Sequence, residues 1–401
     1  MPHALAQAVE MVTTALAVAG IGYFLASLAA ARVFLAERRA PIAEFTPGVS
    51  ILKALKGLDP GMMDALASHC RQEYAGEYEM LLGISSRDDP ACAAVEQLRR
   101  EFPAHAIRLV ECPEQLGTNG KVSTLVQLAR LARHDFLLIN DSDITEGPRY
   151  LERVMTRFVS PHSNPRDTEA KGRMPDEIGM VTALFRGKAQ GRLPARLEAL
   201  AISTEFVPGV LLSKLLEGGL HYGLGSTLAV RREALERAGG LLPLVHCLAD
   251  DYELGARIAK AGYRVELSSE VVETSVPAYE WRGFFDHQLR WFRTVRESRP
   301  GGYAGLIFTY GLDWALLNVL ASGLSPVSLW VLGLSFFLRL AQAMTVGAGV
   351  LGDREVLASL WLVPVRDAIA VGLWVAGFAG DTVVWRGQRF QLKGGKLEQA
   401  S

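Results

Sequence analysis

The chain has 401 residues, with 42 basic against 43 acidic side chains and a formal net charge of −1, a balance that speaks against bulk nucleic-acid binding. The length leaves room for a sizeable domain plus further segments. Apolar residues make up 49%, and they are unevenly spread.

Residues 11–31 (MVTTALAVAGIGYFLASLAAA) carry no charge, and about 20 apolar residues cross a bilayer as a helix. A cleaved signal peptide would bring a basic n-region and a shorter apolar run, so the stretch reads as a retained anchor. Arg32, Arg38 and Arg39 follow and, by the positive-inside rule, keep the downstream chain on the cytoplasmic side.

From 45 to 300 strand and helix patterns alternate. Residues 49–55 read as a strand, 61–72 as a helix, 78–85 as a strand, 92–102 as a helix and 107–112 as a strand. Val122, Leu125, Leu128, Ala129 and Ala132 form a helical stripe leading to the apolar strand 136–139. This βαβαβαβ order predicts an α/β fold with a mostly parallel sheet and helices on both faces. Residues 159–177 are polar and rich in Pro, Asp and Lys, and read as a mobile loop. Further strands are expected at 178–184 and 226–230, and a helix at 250–261 with Leu254, Ile258 and Ala261 on one face.

From Tyr303 onward the chain turns apolar again. Residues 305–325, 326–346 and 355–380 supply two or three spanning or re-entrant segments, broken by Pro326, by 347–353 and by Pro364. Asp313, Arg339 and the adjacent pair Arg366-Asp367 fall inside them. Intramembrane charges must pair or face a wet cavity, so either Arg366 with Asp367 forms such a site or that segment lies at the membrane interface. Cys70, Cys92, Cys112 and Cys247 show neither paired nor metal-ligand spacing, as expected of buried thiols in a reduced compartment. The organisation expected is an anchor at 1–40, a cytosolic α/β domain at 45–300, membrane helices at 303–386 and a polar tail at 387–401.

The most informative stretch is 135–143, DFLLINDSD. A buried apolar strand ends there in two carboxylates one residue apart, Asp141 and Asp143, at the sheet edge where open α/β folds place their ligands. Hard carboxylate oxygens suit Mg²⁺ or Mn²⁺, and a divalent cation there neutralises a diphosphate. Three further stations follow the sheet. Asp88-Asp89 stand after the second strand, before Pro90, and are equally well placed to cap a helix. Asp250-Asp251 open a helix, where a carboxylate can cap it or take a proton from a bound hydroxyl. His287-Gln288-Leu289-Arg290-Trp291 lie in 281–299, a mixture of aromatics and arginines suited to an interfacial helix or to one packed wholly on the domain.

The motifs that carry a family likeness are VSILKALKGLDP at 49–60, RDDPA at 87–91, GTNGKVSTL at 117–125 and NDSDI at 140–144. They continue with GSTLAVRREALERAGG at 225–240, LADDYELGARIAKAGYRV at 248–265, HQLRW at 287–291 and WRGQRFQLKGG at 385–395. With them the chain resembles inverting glycosyltransferases of the nucleotide-diphospho-sugar (GT-A) fold, within that group the ceramide glucosyltransferases and the related bacterial hopanoid-biosynthesis glycosyltransferases. The resemblance covers nearly the whole chain.

What it implies is specific. Asp89 matches the aspartate that contacts the donor's uridine, Asp141 the first and Asp143 the last residue of the metal motif, and Asp251 the catalytic aspartate, with Asp250 in place of the usual glutamate. Arg290 and Trp291 match the end of the Q/R-x-x-R-W motif that closes over the donor diphosphate and acceptor, while Lys53, Lys56, Asn119 and Lys121 match basic and amide positions near the donor. Two positions depart: His287 stands where the motif has Gln or Arg, and Phe206 where animal ceramide enzymes carry His, which leans towards the hopanoid branch. The implied reaction moves one hexose, glucose or N-acetylglucosamine, from a UDP-sugar to a hydroxyl of a membrane lipid, ceramide or hopanoid polyol, with inversion. The implied location is a bacterial-type inner membrane with the catalytic domain cytosolic. A processive polysaccharide synthase shares the motifs but needs a channel of many helices, and a non-catalytic sugar-nucleotide-binding protein would be free to lose Asp89, Asp141 or Asp251.

Overall fold

The computed structural model describes residues 2–39, 44–159, 177–385 and 388–399; most of the loop expected at 159–177 and part of the 385–395 motif lie outside them. In chain order, a long helix α1 (Pro2–Glu37) precedes β1 (Val49–Ala54), α2 (Met62–Cys70), β2 (Tyr78–Ile84), α3 (Ala91–Glu101), β3 (Ala106–Glu111), α4 (Gly120–Ala129), β4 (Phe136–Ile139) and α5 (Tyr150–Met155). Each element expected between 49 and 139 is present, with ends moved by a few residues.

After β5 (Ile178–Ala189) come α6 (Leu193–Ala201), a π-helical turn (Ile202–Phe206) and α7 (Val207–Glu217). Then follow β6 (Leu228–Arg231), α8 (Arg232–Arg237), α9 (Asp250–Lys260), β7 (Arg264–Val276), α10 (Trp281–Ser298), α11 (Pro300–Gly305) and α12 (Gly311–Ala321). Helix α13 (Pro326–Ala343) runs into a second π-helical turn (Met344–Val350), and α14 (Glu355–Ser359), α15 (Val363–Gly377), β8 (Thr382–Trp385), β9 (Gln388–Lys393) and β10 (Lys396–Gln399) complete the chain.

These elements form two compact units. The sheet unit comprises Ala40–Phe185, Glu217–Ser275 and Leu392–Ser401. Its strand order is β3-β2-β1-β4-β6-β5-β7. The β1–β2, β2–β3 and β1–β4 pairs are parallel, and β6 is antiparallel to both β4 and β5. Parallel strands covered on both faces read as continuous apolar runs, and Phe136, Leu137, Leu138 and Ile139 are all buried. Each such side chain contributes about 1.5–3 kcal/mol by leaving water. The chain winds outward from β1 through β2 to β3, then returns to place β4 on the other flank of β1. The carboxyl ends of β1 and β4 therefore border a topological switch point, where open α/β sheets leave a crevice for ligands.

The helical unit comprises Met1–Arg39, Arg186–Leu216 and Val276–Gln391. Among the described residues four helices are long and apolar enough to cross a membrane: Ala4–Glu37, Leu193–Glu217, Pro326–Val350 and Glu355–Gly377, and Pro300–Phe308 with Gly311–Ala321 forms a further candidate bent by 47°. The second of these has no counterpart in the hydropathy reading, because Arg196, Glu198, Glu205 and Lys214 interrupt its apolar character. Helices α1 and α12 meet through Gly20 and Gly311: a Cβ on Gly20 would lie 2.1 Å from the Gly311 Cα. Such close backbone approach is how small residues bring membrane helices together. Asn318 Nδ2 adds donors to Thr14 Oγ1 at 2.6 Å and the Glu10 carbonyl at 3.1 Å, and Gln342 Nε2 donates to Ser27 Oγ at 2.6 Å. The four cysteines are free thiols.

Candidate active site

Strand β4 delivers Asn140-Asp141-Ser142-Asp143 to the switch point, and the neighbouring elements fix each side chain differently. Asn140 is buried and donates from Nδ2 to Glu146 Oε1 at 2.6 Å; the same oxygen lies 3.0 Å from His69 Nε2. His69 Nδ1 donates to the Ala65 carbonyl at 2.9 Å, and its Nε2 lies 3.2 Å from Asn140 Nδ2, so Asn140, Glu146 and His69 form one buried polar group under the turn after β4. Ser142 Oγ donates to Asp59 Oδ2 at 2.6 Å. Asp143 Oδ2 accepts from Thr274 Oγ1 at 2.6 Å and from the Ser275 N–H at 3.1 Å, both on β7. Burial, then the Asp141 charge, push the Asp143 carboxyl above its ordinary value, against these hydrogen bonds.

Asp141 is the more open carboxylate, and Lys121 from the first turn of α4 sits 2.8 Å from its Oδ1. The same ammonium lies 3.3 Å from Asp250 Oδ2. Burial by itself would lower the Lys121 pKa, but the Asp141 and Asp250 carboxylates outweigh it and the pKa is raised. Lys53, at the end of β1, is fully buried and donates to the Asp141 carbonyl at 2.8 Å. Desolvation lowers its pKa to about 8 despite Glu146, Asp143 and Asp141 nearby. Asn119 caps α4 by accepting from the Val122 N–H at 3.1 Å and donates to the Cys247 carbonyl at 2.8 Å, so it ties α4 to the segment before Asp250.

Asp89 Oδ1 accepts from the Gly57 N–H at 2.9 Å and from the Ala91 N–H at 2.9 Å. It thus caps α3 and holds the loop after β1, beside the same crevice.

Asp251, in the first turn of α9, brings the second half of the site. Its Oδ2 lies 3.0 Å from where a Cβ would stand on Gly225, and Asp141 Oδ2 lies 3.6 Å from that point. The two carboxylates expected to act together are therefore on one spot, separated by the missing side chain of a glycine. Burial first, then Asp250 beside it, raise the Asp251 pKa to about 6, although Lys121 and the Tyr252 N–H pull it down. A carboxylate with that value is ionised at neutral pH and retains basicity for a bound hydroxyl.

Among the described residues no group of three or more His, Cys, Asp or Glu is arranged to hold a metal. Asp141 and Asp143 offer hard oxygens, which fit a Mg²⁺ or Mn²⁺ ion completed by phosphate oxygens and water.

Arg290 and Trp291 belong to the helical unit, on α10. The Trp291 ring is 5.3 Å from His287 and 6.4 Å from Phe206. His287 Nδ1 lies 3.0 Å from Glu198 Oε2, and Gln288 Nε2 donates to the same oxygen at 3.3 Å. The departing His287 is thus built onto a buried carboxylate of α6. Sequence reasoning passed over Gly225, Thr274, Glu198 and the His69–Glu146 pair. Of these only Gly225, standing just before a strand, carries a local signal.

The chain matches the profile of Glycosyl transferase family 21 over residues 12–398. It is 23% identical over 360 residues to Ceramide glucosyltransferase 3 of Caenorhabditis elegans, covering 87% of this chain and 73% of that one. To Ceramide glucosyltransferase 1 of the same organism it is 22% identical over 367 residues, covering 88% and 73%. A solved structure, mannosyltransferase PcManGT from Pyrobaculum calidifontis in complex with GDP-Man and Mn²⁺, superposes with a TM-score of 0.52 at 20% identity over 92% of this chain and 99% of that one, a likeness of fold. The chain belongs to Glycosyl transferase family 21 and is a glycosyltransferase.

Proposed function

We propose that this glycosyltransferase moves a single hexose from a UDP-sugar to the hydroxyl of a membrane lipid, ceramide or a hopanoid polyol, with inversion. The observation that carries this reading is the approach of Asp251 and Asp141 to one point beside Gly225 at the switch point of the sheet. Asp251 is the base: it takes the acceptor's hydroxyl proton as that oxygen attacks the anomeric carbon from the face opposite the leaving diphosphate. A single displacement converts an α-linked donor into a β-glycoside without a covalent intermediate. Asp141 and Asp143 would hold a divalent cation, which supplies charge neutralisation for the departing diphosphate. Lys121 pairs with Asp141 and adds positive charge on the donor side. Lys53 and Asn119, both buried, act by positioning the turn after β4 and the start of α4. Asp89 meets the uridine, and Arg290 with Trp291 contact the diphosphate and acceptor; these roles rest on the motif resemblance.

The candidate spanning helices support a lipid acceptor and an integral membrane location. With Arg32, Arg38 and Arg39 after the first helix, the sheet unit faces the cytosol. The test is to reconstitute the purified protein with ceramide or a hopanoid polyol, supply UDP-glucose or UDP-N-acetylglucosamine with Mg²⁺ or Mn²⁺, and identify the product by mass. One added hexose on one lipid is the expected result. A ladder of oligosaccharides, or transfer only to a soluble acceptor, would overturn it.

A further inference from the structure

In the helical unit Glu205 lies within electrostatic reach of four charged side chains, Asp313, Arg339, Arg366 and Asp367. Neighbours on α15, Arg366 and Asp367 pair away from each other. Arg339 grips Asp367 with two hydrogen bonds, Nε to Oδ2 at 2.9 Å and Nη2 to Oδ1 at 2.7 Å, and is satisfied in the way a buried ion pair requires.

Arg366 is different. It is 1% exposed, and only its Nη2 is engaged, with Gln288 Oε1 at 2.9 Å and Glu205 Oε2 at 3.1 Å. Among the described residues, its buried Nε and Nη1 have no hydrogen-bond partner, nor do the buried Oε1 of Glu205 and Oδ2 of Asp313. Native interiors leave few such atoms, each costly, and those that persist call for an explanation. Glu205 lies in the π-helical turn Ile202–Phe206, an irregularity that recurs at functional sites. Its side chain remains 23% exposed, which gives the cluster a way out.

The unmatched atoms define their complement. Arg366 needs acceptors, a carbonyl or hydroxyl oxygen. Glu205 and Asp313 need donors, a hydroxyl or an amide N–H. Three carboxylates against two guanidinium groups disfavour an anionic headgroup. We propose that Arg366, Glu205 and Asp313 bind the uncharged, hydroxyl- or amide-bearing headgroup of the lipid acceptor inside the helical unit. This deepens, and rests on, the lipid-acceptor reading above.

The experiment measures binding apart from turnover. The full-length Asp251→Asn protein in phosphatidylcholine nanodiscs is titrated with a fluorescent short-chain ceramide and, by competition, with a hopanoid polyol; the tighter ligand identifies the source of the chemistry. Adding Arg366→Met should weaken lipid binding by about tenfold or more and leave UDP binding unchanged, which also reports a folded protein. Glu205→Gln preserves shape and should weaken lipid binding several-fold; it decides the matter if Arg366→Met loses UDP binding as well. The proposal is overturned if a UDP-binding variant retains parental lipid affinity, if phosphatidylglycerol competes as well as the neutral lipids, or if the parent binds neither lipid. Failure of the transfer reading is seen separately, as absence of glycolipid from the wild-type protein.

Discussion

Asp251 and Asp141 come from opposite halves of the sheet unit, yet their Oδ2 atoms lie 3.0 and 3.6 Å from the same point, where Gly225 has no side chain. The chain must therefore pass close beneath both carboxylates, and only glycine leaves them undisturbed. Gly225→Ala would push a methyl group against Asp251 at a distance real Cβ contacts rarely reach. Misplacement of a reacting group by about 1 Å costs about 10²-fold in rate. The expected outcome is a fall in kcat of that order with an unchanged melting temperature, and near-wild-type kcat would show that the two carboxylates do not act together.

Replacing Asp251 by Asn retains shape and removes the basic oxygen. General-base assistance is worth about 10²–10⁴-fold, so transfer should fall by at least that factor while calorimetry still detects UDP binding. Residual transfer close to wild type would exclude Asp251 as the base.

The pH dependence follows from the same residue. Asp251 has its pKa raised to about 6, with burial and Asp250 as the main causes. Only the ionised form accepts a proton, so kcat/KM should rise with pH through about 6 and level off above it. Lys121 lowers this pKa; Lys121→Met should move the acid limb to higher pH as well as slow the reaction. A limb that stays in place in Lys121→Met would separate it from Asp251.

The legibility of this chain follows the range of its interactions. Strands β1, β2 and β4 were readable because strands buried on both faces are dominated by apolar residues. Asp141 and Asp143 stood out because they end such a strand where ligands bind, whereas Asp251, which could equally cap a helix, gained meaning only from its place in the ordered series of stations. The α6–α7 segment was not readable: Glu198 and Glu205 look like breaks in an apolar pattern, and only tertiary structure shows them facing His287 and Arg366. Adjacent residues misled in the same way. Arg366 and Asp367 suggest a local pair, whereas the helix turns them towards Glu205 and Arg339. Lys53 matched a donor-side position by motif, and its ammonium donates to the Asp141 carbonyl, a tertiary link that no local pattern announces.

A metal requirement is the next consequence. Among the described residues no group of three His, Cys, Asp or Glu forms around Asp141 and Asp143, so a cation bound there would depend on phosphate oxygens and water to complete its shell. Chelation should abolish transfer, with recovery on adding Mn²⁺ or Mg²⁺, and metal affinity should tighten markedly when UDP is present. Full activity in chelator would instead leave neutralisation of the diphosphate to Lys121 and other cationic side chains.

The helical unit offers a prediction about stability. Helices α1 and α12 touch through Gly20 and Gly311, where a Cβ on either residue would fall within 2.7 Å of the other's Cα. A side chain cannot be accommodated without separating the helices, which would also break the Asn318 hydrogen bonds to Thr14 and Glu10. Interhelical hydrogen bonds of this kind are worth about 0.6–2 kcal/mol, so Asn318→Leu should lower the detergent melting temperature modestly. Gly20→Leu removes both the packing and the hydrogen bonds and should lower it much further. If Gly20→Leu melts with the wild type, the two helices do not hold together through this crossing.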